Sequence, residues 1–389
     1  MFLRKLLKDN KPLVEETFKL LEEGIILPDT YVIDYDMLMK NAGTILKEAQ
    51  KNNVNLYFML KQFGTNPIIA KGLLEIGYKS SVVVDFKEAL TMMKNNIPIG
   101  HVGHLVQVPN SLLDSIIKYG VEFITVYSYE KLELINEIAK KNNKVQKVML
   151  RVVDDKSSIY AGQESGFFPK EIISMISKIK GLKHVSVEGL TSFPCFLYNS
   201  EKGRVNVENN VSVLHEVKKQ LEEKGFTITQ MNMPSVTATN TIKMIAENGG
   251  THGEPGHGMS GTTPYHQDHD AVEKIAYLYV TEVSHNFKEN SYCFGGGHYR
   301  RSHVKEALIG KDIKNAVIKN VIPPSADSID YHFGIEGYSR VGDYAIMSFR
   351  TQMFVVRSDI AIVSGIGTKN VKVLGVFNQR GEQVRWNDL

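Results

Sequence analysis

Leu56-Tyr-Phe-Met-Leu-Lys61-Gln-Phe-Gly-Thr-Asn-Pro67 runs from an apolar stretch of strand length into one lysine, then into Gly64 and the Asn66-Pro67 pair, which break the strand. A helical pattern follows over 66–76, so the stretch reads as one strand–helix unit. The same unit recurs on either side of it. Upstream lie a strand at Thr30–Asp34 and a helix over 36–51. Downstream, strands at 80–84, 99–102, 122–126, 145–153, 183–190, 227–233 and 250–254 alternate with helices at 86–94, 110–118, 128–141, 169–180, 206–224 and 238–247. About eight short, evenly spaced units in roughly 230 residues predict a parallel (β/α)8 barrel rather than an open sheet.

Beyond residue 270 the texture changes. Segments 276–285, 291–296, 343–349, 352–357, 360–364 and 371–377 are rich in Val, Ile, Tyr and Phe and are separated by glycines and charged turns. They predict a β-rich second domain, with a small barrel as one form of it and residues 303–340 as long loops. Leu6, Leu7, Leu13, Val14, Phe18 and Leu21 fall at helical spacing and predict an amphipathic helix over 3–24. The expected division is a helical segment at 1–26, the barrel at 27–268 and the β-rich domain at 269–389.

At 389 residues the chain exceeds the usual size of one domain, in keeping with that division. Its net charge of +3 and the absence of dense Lys/Arg runs with interleaved aromatics argue against nucleic acid as a partner. No uninterrupted apolar segment approaches membrane-spanning length, and the start does not read as a signal peptide. Only Cys195 and Cys293 are present, too few for a disulfide framework, so a reducing cytoplasm is expected.

A lysine ending a buried strand either reaches solvent or is desolvated, and desolvation lowers its pKa toward a neutral, nucleophilic amine. What favours the second reading for Lys61 is Gly253-Glu254-Pro255-Gly256-His257-Gly258 downstream. Gly256 and Gly258 allow a backbone turn to approach a phosphate, and Glu254 places a carboxylate beside it. That pairing suits a ligand that also carries a protonated ring nitrogen. Pyridoxal 5′-phosphate (PLP) has an aldehyde for the lysine, a phosphate for the turn and a pyridine nitrogen for the glutamate. Strand ends in a (β/α)8 barrel gather function, and Lys61, Thr191, Ser192, Ser235 and the 253–258 turn all fall at such ends.

At these residues the sequence resembles the fold-type III PLP enzymes, which join an alanine racemase-type barrel to a C-terminal β-domain. Tyr31-Val-Ile-Asp34 with Asn41 resembles that family's opening pattern, and Leu60-Lys61-Gln-Phe-Gly64-Thr-Asn66-Pro67 resembles the lysine segment of ornithine racemase-like and related barrel proteins. Glu254-Pro-Gly256-His257 is similar to the Glu-Pro-Gly-Arg turn of basic amino-acid decarboxylases, whereas alanine racemases carry an arginine where Glu254 stands. Gly-Gly-Gly-His-Tyr at 295–299 extends the resemblance to the YhfX group. The likeness is good over 27–265 and loose beyond.

The resemblance implies an internal aldimine (Schiff base) on Lys61, with Lys61 then acting as base at one face of the substrate Cα. It implies that Glu254 holds the pyridine nitrogen and that Gly256, His257 and Ser235 hold the phosphate, with Thr237 and Thr239 competing with Ser235 by register. Thr191 and Ser192 are expected near the cofactor ring, where alanine racemases have a histidine and this chain does not. A second acid/base would come from the partner subunit of a homodimer, with His298, Tyr299 and Cys293 as candidates and Tyr338 as a further one. Arg151 is a candidate to point into the barrel. His101 and His104 read either as a metal pair or, better, as pocket or packing residues, since no third ligand shows recognisable spacing. The expected activity is amino-acid racemisation or epimerisation. A PLP-dependent lyase and a non-catalytic PLP carrier remain as alternatives.

Overall fold

In the computed structural model, which describes residues 2–384, the apolar run becomes the strand Asn55–Met59 and Lys61 opens a 3₁₀ turn, Lys61–Phe63. The outermost limits expected for the first and last domains, residues 1 and 389, lie outside the described residues. Gly64 and Thr65 follow with φ of +62° and +53°, which ends extended backbone at once. A Cβ at position 64 would lie 2.1 Å from Ile360 Cδ1, so any side chain there would have to displace that buried methyl group. Asn66 Oδ1 then accepts from the backbone N–H of Ile68 at 2.9 Å and caps the helix Pro67–Glu75.

The chain divides into two compact units, one of residues 45–60 and 70–256, the other of residues up to 44, 61–69 and from 257 on. The first unit holds a closed barrel of eight parallel strands. In order around it they are Asn55–Met59, Ser80–Val82, Ile99–Val102, Phe123–Val126, Gln146–Arg151, Val185–Thr191, Gln230–Asn232 and His252–Gly253. Parallel pairing of His252 with Asn55 and of Gly253 with Leu56 closes the circuit. Helices alternate with the strands and turn an apolar stripe inward, as Leu132, Ile135 and Ala139 do on Tyr129–Lys141. The side chains of Asp85 and Ser128 cap two of these helices by accepting from the N–H of Glu88 and Lys131. A hairpin, Phe196–Asn199 with Arg204–Val207, follows the seventh-expected strand and had no counterpart in the periodicity.

The second unit is built on a nine-stranded sheet. Tyr277–Phe287 pairs with both Asn290–Phe294 and Tyr344–Met347, and with His332–Glu336, Val317–Ile322 and Glu306–Gly310 these strands form a closed circuit of six. Thr30–Asp34 pairs antiparallel with Tyr277–Val280 and parallel with Asp359–Val363, and is buried along its whole length. This corrects the expectation that Thr30–Asp34 is a barrel strand. Periodicity shows that a run is a buried strand but not which sheet receives it, and the barrel is already complete with eight.

Three further expectations change in this unit. The N-terminal helix is two helices, Phe2–Asp9 and Lys11–Glu22. Pro12 lacks an N–H to continue the first helix, and Asn10 at the break donates its buried amide to Asp34 Oδ2 at 2.9 Å and Ile275 O at 3.1 Å. Both helices pack Leu3, Leu6, Leu13, Val14 and Phe18 against Val32, Leu278, Val280 and Ile346 of the sheet. Residues 303–340 contain three strands rather than long loops; Val317–Ile322 is largely exposed and so lacks the burial pattern that marks a strand, and ladder pairing with its neighbours places it. Residues 352–357 form a 3₁₀ turn at Met353–Val355 rather than a strand; the N–H groups of Val355 and Val356 bond back to Gln352 and Met353.

Candidate active site

Within the barrel unit, the strand ends bring a chain of buried polar groups together. Glu254 directly follows the strand His252–Gly253 and is 5% exposed. Its Oε1 accepts from His101 Nδ1 at 2.8 Å and from Asn232 Nδ2 at 2.8 Å. The Asn232 amide also reaches Thr191 Oγ1 at 3.2 Å, and His101 Nε2 lies 2.5 Å from Thr125 Oγ1. Burial works to raise the Glu254 carboxyl, but the bond from His101, the charges that His104 and His101 carry in acid, and the Asn232 amide more than offset it and hold it at about 2. Glu254 is therefore a carboxylate across the working pH range. Among the described residues no donor reaches its second oxygen, Oε2.

The neighbouring expected residues are placed less centrally. Thr237 Oγ1 accepts from the Glu254 N–H at 3.1 Å, and a Cβ at Gly253 would lie 3.0 Å from the Thr237 methyl, so the 234–237 turn closes tightly on this segment. Val236 within that turn has φ of +43°, a strained conformation for a β-branched residue. Ser235 spends its hydroxyl on Phe196 O at 2.5 Å. Ser192 donates to Val152 O at 2.7 Å and accepts from Asn210 at 2.9 Å. Thr191 thus joins the Glu254 chain, whereas Ser192 and Ser235 brace loops. Arg151 is fully buried, donates to Gln163 O at 3.0 Å and lies 5.4 Å over the Tyr127 ring. His101, His104, Phe193 and Tyr160 form a row of rings at 5.1, 5.6 and 5.5 Å.

Within the second unit, His257 is the focus of positive charge. Loss of water pushes its imidazole well below the ordinary range, and the charges of Arg350, Lys61, His266 and Arg301 push the same way. Its carbonyl accepts from Thr262 N at 3.0 Å and Ser260 Oγ at 3.1 Å, which fixes the glycine turn, and its Nε2 has no hydrogen-bond partner among the described residues. Lysine, two arginines and a half-satisfied imidazole make a neighbourhood that favours an anion. His298 and Tyr299 are half-buried in the segment after Asn290–Phe294. Burial lowers the His298 imidazole, partly opposed by Asp330. Cys293 lies inside the strand, where burial pushes its thiol up to about 12. Tyr338 is 74% exposed.

Asn232 and Thr125 carry no motif, although Gln230 and Asn232 alternate with Met231 and Met233 and so share one strand face. That face pairs Asn232 with Thr191 in register.

Comparison with known proteins decides the family. The alanine racemase N-terminal domain family matches residues 33–264, and the YhfX-like C-terminal domain family matches residues 278–373. The YhfX protein of Escherichia coli strain K12 is 37% identical over 99% of this chain and 100% of its own length. The chain belongs to the YhfX family. An alanine racemase of Clostridium tetani is 30% identical over 50% of this chain and 49% of its own. Among solved structures, D-threonine aldolase from Filomicrobium marinum aligns with a TM-score of 0.67 at 13% identity, over 91% of this chain and 94% of its own. Alanine racemase of Clostridium difficile 630 aligns at 0.62 and 15%, over 91% and 99%. These likenesses establish for the YhfX family chain a fold-type III barrel with a β-rich C-terminal domain, and members of this fold family use PLP. The residues present fit that group. Within the barrel unit, Glu254 has a buried carboxylate oxygen with no donor among the described residues, which suits a protonated ring nitrogen. Among the described residues no helix is long and apolar enough to cross a membrane.

Proposed function

We propose that the chain is a PLP-dependent amino-acid racemase or epimerase that works as a cytoplasmic homodimer. The observation that carries the PLP part of the reading is Glu254: a buried carboxylate with both protein donors on one oxygen and its other oxygen left for a ring N–H. Bound PLP supplies an electron sink that acidifies the Cα–H bond of an attached amino acid. Glu254 Oε2 keeps that ring nitrogen protonated, which an arginine at this position would not do. Lys61, two residues past Asn55–Met59, follows the strand that pairs with His252–Gly253, the strand Glu254 follows. Lys61 Nζ would hold the cofactor aldehyde and, once the substrate amine has displaced it there, would be free to take the Cα proton on one face. Gly256 and His257 orient the phosphate, Thr191 steadies Asn232 beneath Glu254, and Ser192 and Ser235 hold the loops at neighbouring strand ends.

Return of a proton on the opposite face falls to His298 or Tyr299 of the partner subunit. Burial lowers the His298 imidazole and so favours a ring that can accept a proton, and Tyr299 carries a hydroxyl that can donate one. Cys293, buried with a thiol near 12, is poorly suited to donate, which weighs against a lyase that relies on it. The test is an amino-acid panel with PLP-loaded protein in D2O, read by mass and chirality together. Deuterium at Cα with inversion and an intact carbon skeleton is the expected result. Release of CO2 or of the side chain would replace the racemase with a lyase, and exchange of no amino acid would leave a PLP carrier.

A further inference from the structure

We infer that His101 is a positioning residue that, together with Asn232, pins Glu254 so that a single carboxylate oxygen faces the cofactor ring nitrogen. The inference rests on the role proposed for Glu254 and adds how that role is imposed. Both ring nitrogens of His101 are engaged, Nδ1 with Glu254 Oε1 at 2.8 Å and Nε2 with Thr125 Oγ1 at 2.5 Å. The carboxylate can only accept, so Nδ1–H donates to Glu254, and Nε2 shares its hydrogen bond with the Thr125 hydroxyl. Through Nδ1 the ring orients the carboxylate while its other nitrogen is held by Thr125. Asn232 Nδ2 donates to the same oxygen at 2.8 Å, so rotating the carboxylate would break two charge-assisted hydrogen bonds at once. His101 is fully buried and lies on the strand Ile99–Val102, across the barrel from Asn232 on Gln230–Asn232. Rigid strands, rather than loops, thus fix the acceptor.

The residue acts through Glu254 and does not itself meet the reacting atoms. That distinguishes it from a packing residue, because its loss should change the cofactor's own titration. The experiment measures the apparent dissociation constant for PLP and the pH dependence of the bound cofactor's visible spectrum. The proteins are wild type, His101→Leu, His101→Gln, Glu254→Gln and the His101→Leu/Glu254→Gln double variant. His101→Leu is expected to weaken PLP binding about tenfold and to move the spectral transition along the pH axis. His101→Gln, whose amide still donates, should recover most of both. In the Glu254→Gln background, His101→Leu should add less than about twofold, as for two residues acting as one unit.

Wild-type affinity and titration in His101→Leu, with both altered in Glu254→Gln, would overturn the inference while leaving Glu254 in its role. Equal losses in either background would also overturn it, by making His101 a packing residue. An unchanged Glu254→Gln variant would instead remove the reading of Glu254 itself. Should His101→Leu not fold, Thr125→Val decides: by freeing the His101 ring it should give a smaller shift in the same direction, and no shift would count against the inference.

Discussion

His101 and Glu254 share a 2.8 Å hydrogen bond inside the barrel, with side-chain exposures of 0% and 1%. The bond has a consequence for acid stability. The Glu254 carboxyl sits at about 2 in the folded protein against 4.5 for the free side chain. A depressed carboxyl contributes stability that is present above the unfolded value and lost as pH falls through the folded one. Wild type should therefore lose melting temperature between pH 4.5 and 2 more steeply than Glu254→Gln, which has no proton to take up. Parallel curves for the two proteins would contradict the buried pair.

Asp29 behaves in the opposite sense. Burial raises its carboxyl to about 7, although bonds from Ser358 and from the Tyr279 hydroxyl at 2.8 Å, and the charge of Arg357, pull it down. A raised carboxyl contributes stability that is fully present below about 3.8 and is lost as pH rises through about 7. Asp29→Asn should flatten the fall in melting temperature between pH 3.8 and about 7. A variant that keeps the wild-type slope would show that another group titrates there.

The same carboxylate makes Gly296 intolerant of a side chain. A Cβ there would lie 2.0 Å from Asp29 Oδ2, and φ is +135°. Gly296→Ala should cost about 2 kcal/mol or more and disturb His298 two residues on. Gly337 has φ of +75° with nothing within 4 Å, so Gly337→Ala should cost only about 1 kcal/mol of backbone strain. Equal melting temperatures for the two variants would contradict the Asp29 contact.

The barrel was legible because its signal is local: apolar runs of strand length, breakers such as Gly64 and Asn66-Pro67, and helices between them. What escaped was assignment between sheets. Thr30–Asp34 is a strand on either reading, and only its pairing with Tyr277–Val280 and Asp359–Val363 shows where it belongs. Val317–Ile322 escaped for a related reason: it is largely exposed, so the burial that marks a strand is weak there. In the site, Glu254 was legible from the glycine turn around it. Its partners were not: His101 lies 153 residues away, and no spacing rule joins the two. Asn232 left a trace in the alternation with Met231 and Met233, but a buried asparagine shows its purpose only once its acceptor is known.

The central claim is that one amine, Lys61, holds the cofactor aldehyde. Borohydride reduction of PLP-loaded protein, followed by proteolysis and mass analysis of the peptides, tests it most directly. The account predicts a single pyridoxyl group fixed on the peptide containing Lys61, absent from Lys61→Ala. A label on another lysine, or no label from protein saturated with PLP, would contradict it.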